Sequence, residues 1–112
     1  MSAGEALPIF KEVILAPSSM AANQTSTTVN VDTIDCYCVQ AYWTGSTPVG
    51  SMAVNASNDN VNFTTIGTLT ITGNSGNAML NADNPAYSYV QVVYTATSGT
   101  GTITITMNGK QR

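Results

Sequence analysis

The groups in this chain able to do acid–base, nucleophilic or metal chemistry are few: six carboxylates, two cysteines and no histidine. Four carboxylates lie in the body of the sequence, Asp32, Asp35, Asp59 and Asp83. Asp32 and Asp35 bound one turn and could form half of a catalytic carboxylate pair, but residues of this type in a turn more often bond their own backbone. Asp59 within SNDN, and Asp83 beside Asn84, could offer hard oxygen ligands to calcium, yet neither sits in a complete binding loop. Cys36 and Cys38 are two residues apart on a predicted strand, about 7 Å at the backbone, which is too far for an easy mutual disulfide. Without histidine they also lack the partners of a zinc site. They read as two small, free, buried thiols, with an intermolecular bridge or an exposed thiol as the alternative. No phosphate-cradling glycine loop, nucleophile elbow or zinc signature is present. The expectation is a protein that is not an enzyme and has no cofactor and no metal.

Aromatic residues are the other candidates for contact. Trp43 with Tyr42, and Tyr87 with Tyr89, could form a flat platform for sugar rings. However, Trp43 shares its strand parity with Val39 and Ala41, which places it in the core. Tyr42 and Tyr89 fall on the outward parity and are the better contact residues, toward glycan or protein.

These side chains must be positioned by strands. In CYCVQAYWTGSTPVGSMAVNASNDNVNFTTI, Tyr37, Val39, Ala41 and Trp43 alternate with Gln40 and Tyr42, and Met52, Val54 and Ala56 alternate with Ser51, Asn55 and Ser57. A period of two with one polar face marks a half-buried antiparallel strand. TGSTPVG between the two runs supplies the Gly and Pro of a chain reversal. Further strands are predicted at 28–31, 61–66, 68–72, 78–81 and 87–96. In the last of these Val90, Val92 and Tyr94 point inward. TSGTG then leads to a hairpin partner at 102–107, where Ile103, Ile105 and Met107 alternate with threonines. Short strands at intervals of about eight to twelve residues, with no helical period, predict an all-β fold. The expected form is an antiparallel β-sandwich, jelly-roll or immunoglobulin-like, of about eight short strands with an extended N-terminal arm.

The arm and first strand are assigned to 1–24 and the sandwich domain to 25–112. Within the arm, PIFKEVIL carries large apolar groups on both faces, the pattern of a strand covered on two sides or docked on another subunit. Leu7, Ile9, Phe10, Val13 and Ile14, together with Tyr42 and Tyr89, are therefore the candidate partner-binding residues.

Charge separates the remaining classes. Only 8% of residues are charged, where a typical soluble domain carries about a quarter. The polar faces are made instead of Thr, Ser, Asn and Gln, which lie against a neighbour without a large desolvation cost. A net charge of −3 gives no footprint for nucleic acid. No apolar run approaches the length of a membrane span, and no basic leader precedes one.

QAYWTGSTPVGSMAVNASNDNVNFTTI followed by AYSYVQVVYTATSGTGTITITMNGK resembles a widespread group of small bacteriophage virion proteins. They share a strand ending in a Trp-Thr-Gly turn, a strand ending in Ser-Asn-Asp and an aromatic, and a final hairpin through Ser-Gly-Thr-Gly-Thr. The resemblance spans about residues 39–110. Asn60 stands where the group has Gly, and Phe63 where it has Trp, and the Ser-Asn-Asp element is also similar to one in discoidin-type and carbohydrate-binding sandwiches. What the resemblance implies is a structural part of a phage particle, assembled in the host cytoplasm: a capsid decoration, cement or minor capsid protein. Its partners would be the major capsid protein or other virion proteins and its own subunits, as a homo-oligomer. The alternative it leaves open is a tail or spike module that binds host carbohydrate through loops such as 57–60 and 73–77.

Overall fold

The computed structural model describes residues 7–111, and the side chains of 11–111. Seven strands account for most of them: β1 (Leu7–Ser19), β2 (Gln24–Thr25), β3 (Val29–Asn30), β4 (Cys36–Ser57), β5 (Thr64–Ile71), β6 (Ser75–Asp83) and β7 (Tyr89–Gln111). All pairings are antiparallel, and no helix occurs among the described residues.

The frame is a ribbon of the two long strands. β4 and β7 pair along their whole length, from Cys36↔Lys110 to Ser57↔Tyr89. On the far side of β4, β6 lies along the first half and β5 along the second. On the far side of β7, β1 covers one half, and β2 with β3 the other. Each half of the ribbon is thus four strands wide, and the ribbon folds across its middle into a sandwich.

Alternation explains the core between the two layers. Tyr37, Val39, Ala41, Trp43, Ile103, Ile105 and Met107 point in from the β6–β4–β7–β1 layer; Met52, Val54, Ile71, Val90, Val92 and Tyr94 point in from the other. All are buried. Each such side chain contributes about 1.5–3 kcal/mol on burial, so the sheet folds over to hide one face.

The structure corrects the expected hairpins. Residues 36–43 and 51–57 do not pair with each other, nor do 87–96 and 102–107; each pair forms the two halves of one strand that crosses the fold of the ribbon. The reason lies in what faces what: the TGSTPVG and TSGTG stretches sit opposite one another, with Gly45↔Gly101 and Ser46↔Thr100 in register. Two paired strands can bend together and keep most of their ladder, whereas two separate reversals would break it. The result is seven strands, two of them very long, in place of about eight short ones.

The crease is held by backbone contacts that leave no room for side chains. A Cβ at Gly45 would lie 2.2 Å from the Thr100 carbonyl oxygen; one at Gly99, whose φ is +78°, would lie 2.1 Å from that of Thr47. Asn74 ties the β5–β6 bend to it: its carbonyl accepts the Gly45 N–H at 2.6 Å and its Oδ1 accepts the Thr47 N–H at 2.8 Å. On the opposite side the Met20 N–H donates to the Gly101 carbonyl at 2.8 Å, and Asn23 Oδ1 accepts the Ala96 N–H at 2.9 Å.

The expected domain boundary at 24 falls within β2. β1 and β2 both pair with β7, on either side of the turn at 20–23, and so belong to the same sheet as the rest. The remainder of the expected arm, 1–6, lies outside the described residues.

Candidate functional site

β1 carries five of the seven candidate partner-binding residues. The side chains of Leu7, Ile9 and Phe10 lie outside the described residues. Val13 is exposed, and Ile14, expected among the contact residues, is buried at 2% exposure and packs in the chain's own core. A bulge is the cause. The register shifts between Val13↔Thr106 and Leu15↔Ile105, which turns both Ile14 and Leu15 inward and breaks the alternation. The Ile14 carbonyl accepts the Thr27 N–H at 2.9 Å, which ties the two layers together along this side.

Tyr42 and Tyr89 are placed on different layers and do not form one surface. Tyr42 is 48% exposed on the β6–β4–β7–β1 layer; Tyr89 is half-buried beside Ser57 and Asn30 on the other.

What Tyr42 joins is a wider face that sequence reasoning found only in part. Residues directly opposite in a ladder project to the same side of a sheet. The register therefore sets out rows across the outer surface: Asn77–Tyr42–Thr104, then Met79–Gln40–Thr106–Val13, then Asn81–Cys38–Asn108–Lys11. Of the five large apolar side chains exposed among the described residues, three (Val13, Tyr42 and Met79) belong to this face. Met79 was invisible in a strand of small residues, although its phase opposite to Ala78, Leu80 and Ala82 is the signal that places it outward.

Next to these rows is a groove of about 420 Å³ bordered by Cys36, Cys38, Asn81, Asp83, Asn108 and Lys110. Both cysteines are free and half-buried. Burial pushes the Cys38 thiol above its ordinary value, which disfavours the reactive thiolate.

A second groove, about 500 Å³ and open, lies at the end of the other layer between the SNDN turn, Ile66 and Tyr87. Asp59 is its carboxylate and is occupied by the turn itself. Oδ1 accepts the Ser57 hydroxyl at 2.8 Å and the backbone N–H groups of Val61 at 2.9 Å and Asn62 at 2.8 Å; Oδ2 accepts Asn62 Nδ2 at 2.7 Å. Donors from the Asn62 and Val61 backbone, from the Asn62 side chain and from Ser57 hold its carboxyl well below the usual range. The Ser57 hydroxyl oxygen in turn accepts the Asp59 and Asn60 N–H groups, and Asn60 takes the left-handed φ of +63°. Asp59 therefore shapes a turn.

The remaining candidates resolve similarly. Trp43 is buried, its Nε1–H donates to the Gly73 carbonyl at 3.3 Å, and Gly76 lies against its ring, so it offers no sugar platform. Tyr87 is held edge-on to Tyr37, ring centroids 6.4 Å apart, with the two hydroxyls 2.5 Å apart. Asp32 is exposed in its turn, where its N–H donates to Asn30 Oδ1 at 2.9 Å. The Asp35 N–H donates to the Lys110 carbonyl at 2.9 Å. Among the described residues no three His, Cys, Asp or Glu side chains converge as a metal site would require.

No protein-family model and no curated protein matches the chain. Solved structures do match its fold. YomS, a protein derived from the SPBc2 prophage, superposes with a TM-score of 0.61 at 11% identity, over 96% of this chain and 99% of its own. A protein of Bacillus endospore appendages, described as a novel family of disulfide-linked pili, matches with a TM-score of 0.51 at 15% identity, over 100% and 96%. A CBM4 structure matches with a TM-score of 0.52 at 15% identity, over 80% of this chain and 61% of that one. At these identities the likeness is one of fold: the same all-β architecture occurs in a prophage-derived protein, a pilus protein and a CBM4 protein.

Proposed function

We propose that this chain is a non-enzymatic structural component of a bacteriophage virion, a capsid decoration, cement or minor capsid protein. Its partners are its own copies and the major capsid protein or another virion protein. The observation that carries this reading is the outer face of the β6–β4–β7–β1 layer. Val13, Tyr42 and Met79 stand exposed there among Gln40, Asn77, Thr104 and Thr106, and the charged Lys11, Asp83 and Lys110 lie to one end. Aromatic and Met side chains with few charges are the composition of the centre of a protein interface. The fold shared with a prophage-derived protein supports the same context.

The test is co-sedimentation of the purified chain with particles of the phage that encodes it. The wild type pellets with the particles, and a Val13→Ser, Tyr42→Ser, Met79→Ser variant stays in the supernatant while melting at the wild-type temperature. A wild type that never pellets overturns the reading.

The groove between the SNDN turn and Tyr87 favours a second reading, a carbohydrate-binding tail or spike module, because amide and carboxylate groups there flank an aromatic ring. A glycan array separates the two. A decoration protein is blank on it, whereas binding abolished by Asn62→Ala would put the module in its place.

A further inference from the structure

The two longest open edges of the sandwich differ in how they meet a neighbour. β1 carries Pro8 and Pro17, the charged Lys11 and Glu12, and three register shifts against β7. Prolines, charges and bulges are the devices by which natural sheets keep an edge from pairing with another chain. β6 has neither proline nor bulge and only a single charge. Its nine residues pair with β4 in unbroken register from Thr44↔Ser75 to Cys36↔Asp83, contain no proline, and hold one charge, at the last position. Among the described residues no strand pairs with its other side.

The core is also less sealed along this edge. Inward positions in the middle of the same layer, Val39 and Ala41, are 0% exposed, but Gly76, Ala78, Leu80 and Ala82 on β6 are only half-buried, as is Leu69 on the adjoining β5.

We infer that β6 is a self-association edge that pairs antiparallel with β6 of a second copy across a twofold axis at Met79. The sequence is suited to that partner. Aligned over its full length, the strand sets Met79 against itself, Asn77 against Asn81, Ala78 against Leu80, Gly76 against Ala82 and Ser75 against Asp83. Every outward residue then meets an outward residue and every inward residue an inward one, as the pleat requires. The two Asp83 carboxylates fall at opposite ends of the joint, so like charges are kept apart. The layer becomes a continuous eight-stranded sheet, β1–β7–β4–β6 followed by its symmetry mate, and the half-buried Ala78 and Leu80 of each copy are covered by the other.

The pairing rests on the edge itself. Its use in a particle rests on the reading above, since it would place Tyr42 and Met79 of both copies on one surface that grips the shell twice.

Light scattering of the eluting protein tests it. The wild type runs at twice the 11.7 kDa chain mass, and Met79→Lys, which sets two ammonium groups against each other at the axis, runs at 11.7 kDa with an unchanged far-ultraviolet circular dichroism spectrum. Val13→Lys on the β1 edge stays at the doubled mass. In a Cys36→Ser, Cys38→Ser background, Met79→Cys cross-links to a covalent dimer under oxidising conditions. A wild type of single mass at all concentrations, or a dimer indifferent to Met79→Lys, overturns the inference. A single-mass chain that still pellets with particles removes this edge and leaves the virion reading; a β6 dimer that never joins particles does the reverse.

Discussion

The crease of the ribbon and the outer face of the β6–β4–β7–β1 layer are built from neighbouring segments of the same strands, yet they constrain sequence in opposite ways. At the crease, Gly45 and Gly99 have backbone oxygens where a Cβ would go, and Asn74 uses both its main-chain and side-chain oxygens to hold the bend. Close packing of backbone against backbone fixes the residue types there. A few residues away Val13, Tyr42 and Met79 stand in solvent at 57%, 48% and 55% exposure. The fold does not require large apolar groups at those positions; the proposed contact with a partner does.

If that contrast is right, mutations should sort by region. Trp43→Ala empties a buried site packed beside the crease and is expected to destabilise by about 3–5 kcal/mol, read from the denaturation midpoint. Gly99→Ala adds a clash to a left-handed backbone and should cost about 3 kcal/mol without change in the buried surface. A crease that tolerates either substitution would break the comparison at its rigid end.

Tyr37→Phe removes one hydroxyl of the Tyr37–Tyr87 pair and should cost about 1 kcal/mol. It also sharpens the alkaline behaviour. Burial, then the Tyr87 hydroxyl, hold the Tyr37 phenol above its ordinary value, so its contribution is complete below about pH 10 and is lost as pH rises further. The wild type should lose thermal stability above that pH more steeply than the Phe variant.

Asp59 has the opposite sign. Its carboxyl is held below the usual range, so its stabilising effect is present above about pH 4 and fades as pH falls toward the folded value. Melting temperature should drop on acidification in the wild type and drop less in Asp59→Asn. Least of all should Tyr42→Ser change stability, by about 0.5 kcal/mol or under, while particle binding falls. A destabilisation as large as that at Trp43 would show Tyr42 to be structural and sink the contrast from its other side.

The same contrast explains what the sequence disclosed. Parity placed Trp43, Val90, Val92 and Tyr94 inside and Tyr42 outside, because a strand paired without interruption keeps its period of two. Ile14 escaped that logic because a bulge shifts its phase, and a bulge is decided by how β1 fits β7, some ninety residues further along the chain. TGSTPVG and TSGTG could not be told from hairpin turns, since a crease and a reversal both need Gly for close backbone approach. Only the pairing of Gly45 with Gly101 distinguishes them. Met79 falls within the strand predicted at 78–81, but SGNAMLNAD is short of the branched and aromatic residues that mark strands, and four residues are too few to fix which face it joins.

The position of β1 has a consequence for how the molecule is made. Leu7 pairs with Gln111 and Lys11 with Asn108, so the first strand has no place to go until the ribosome has added about a hundred more residues. Such long closures slow the search for the native state. During that interval an apolar segment waits without its sheet, and a chain interrupted before β7 would leave it uncovered.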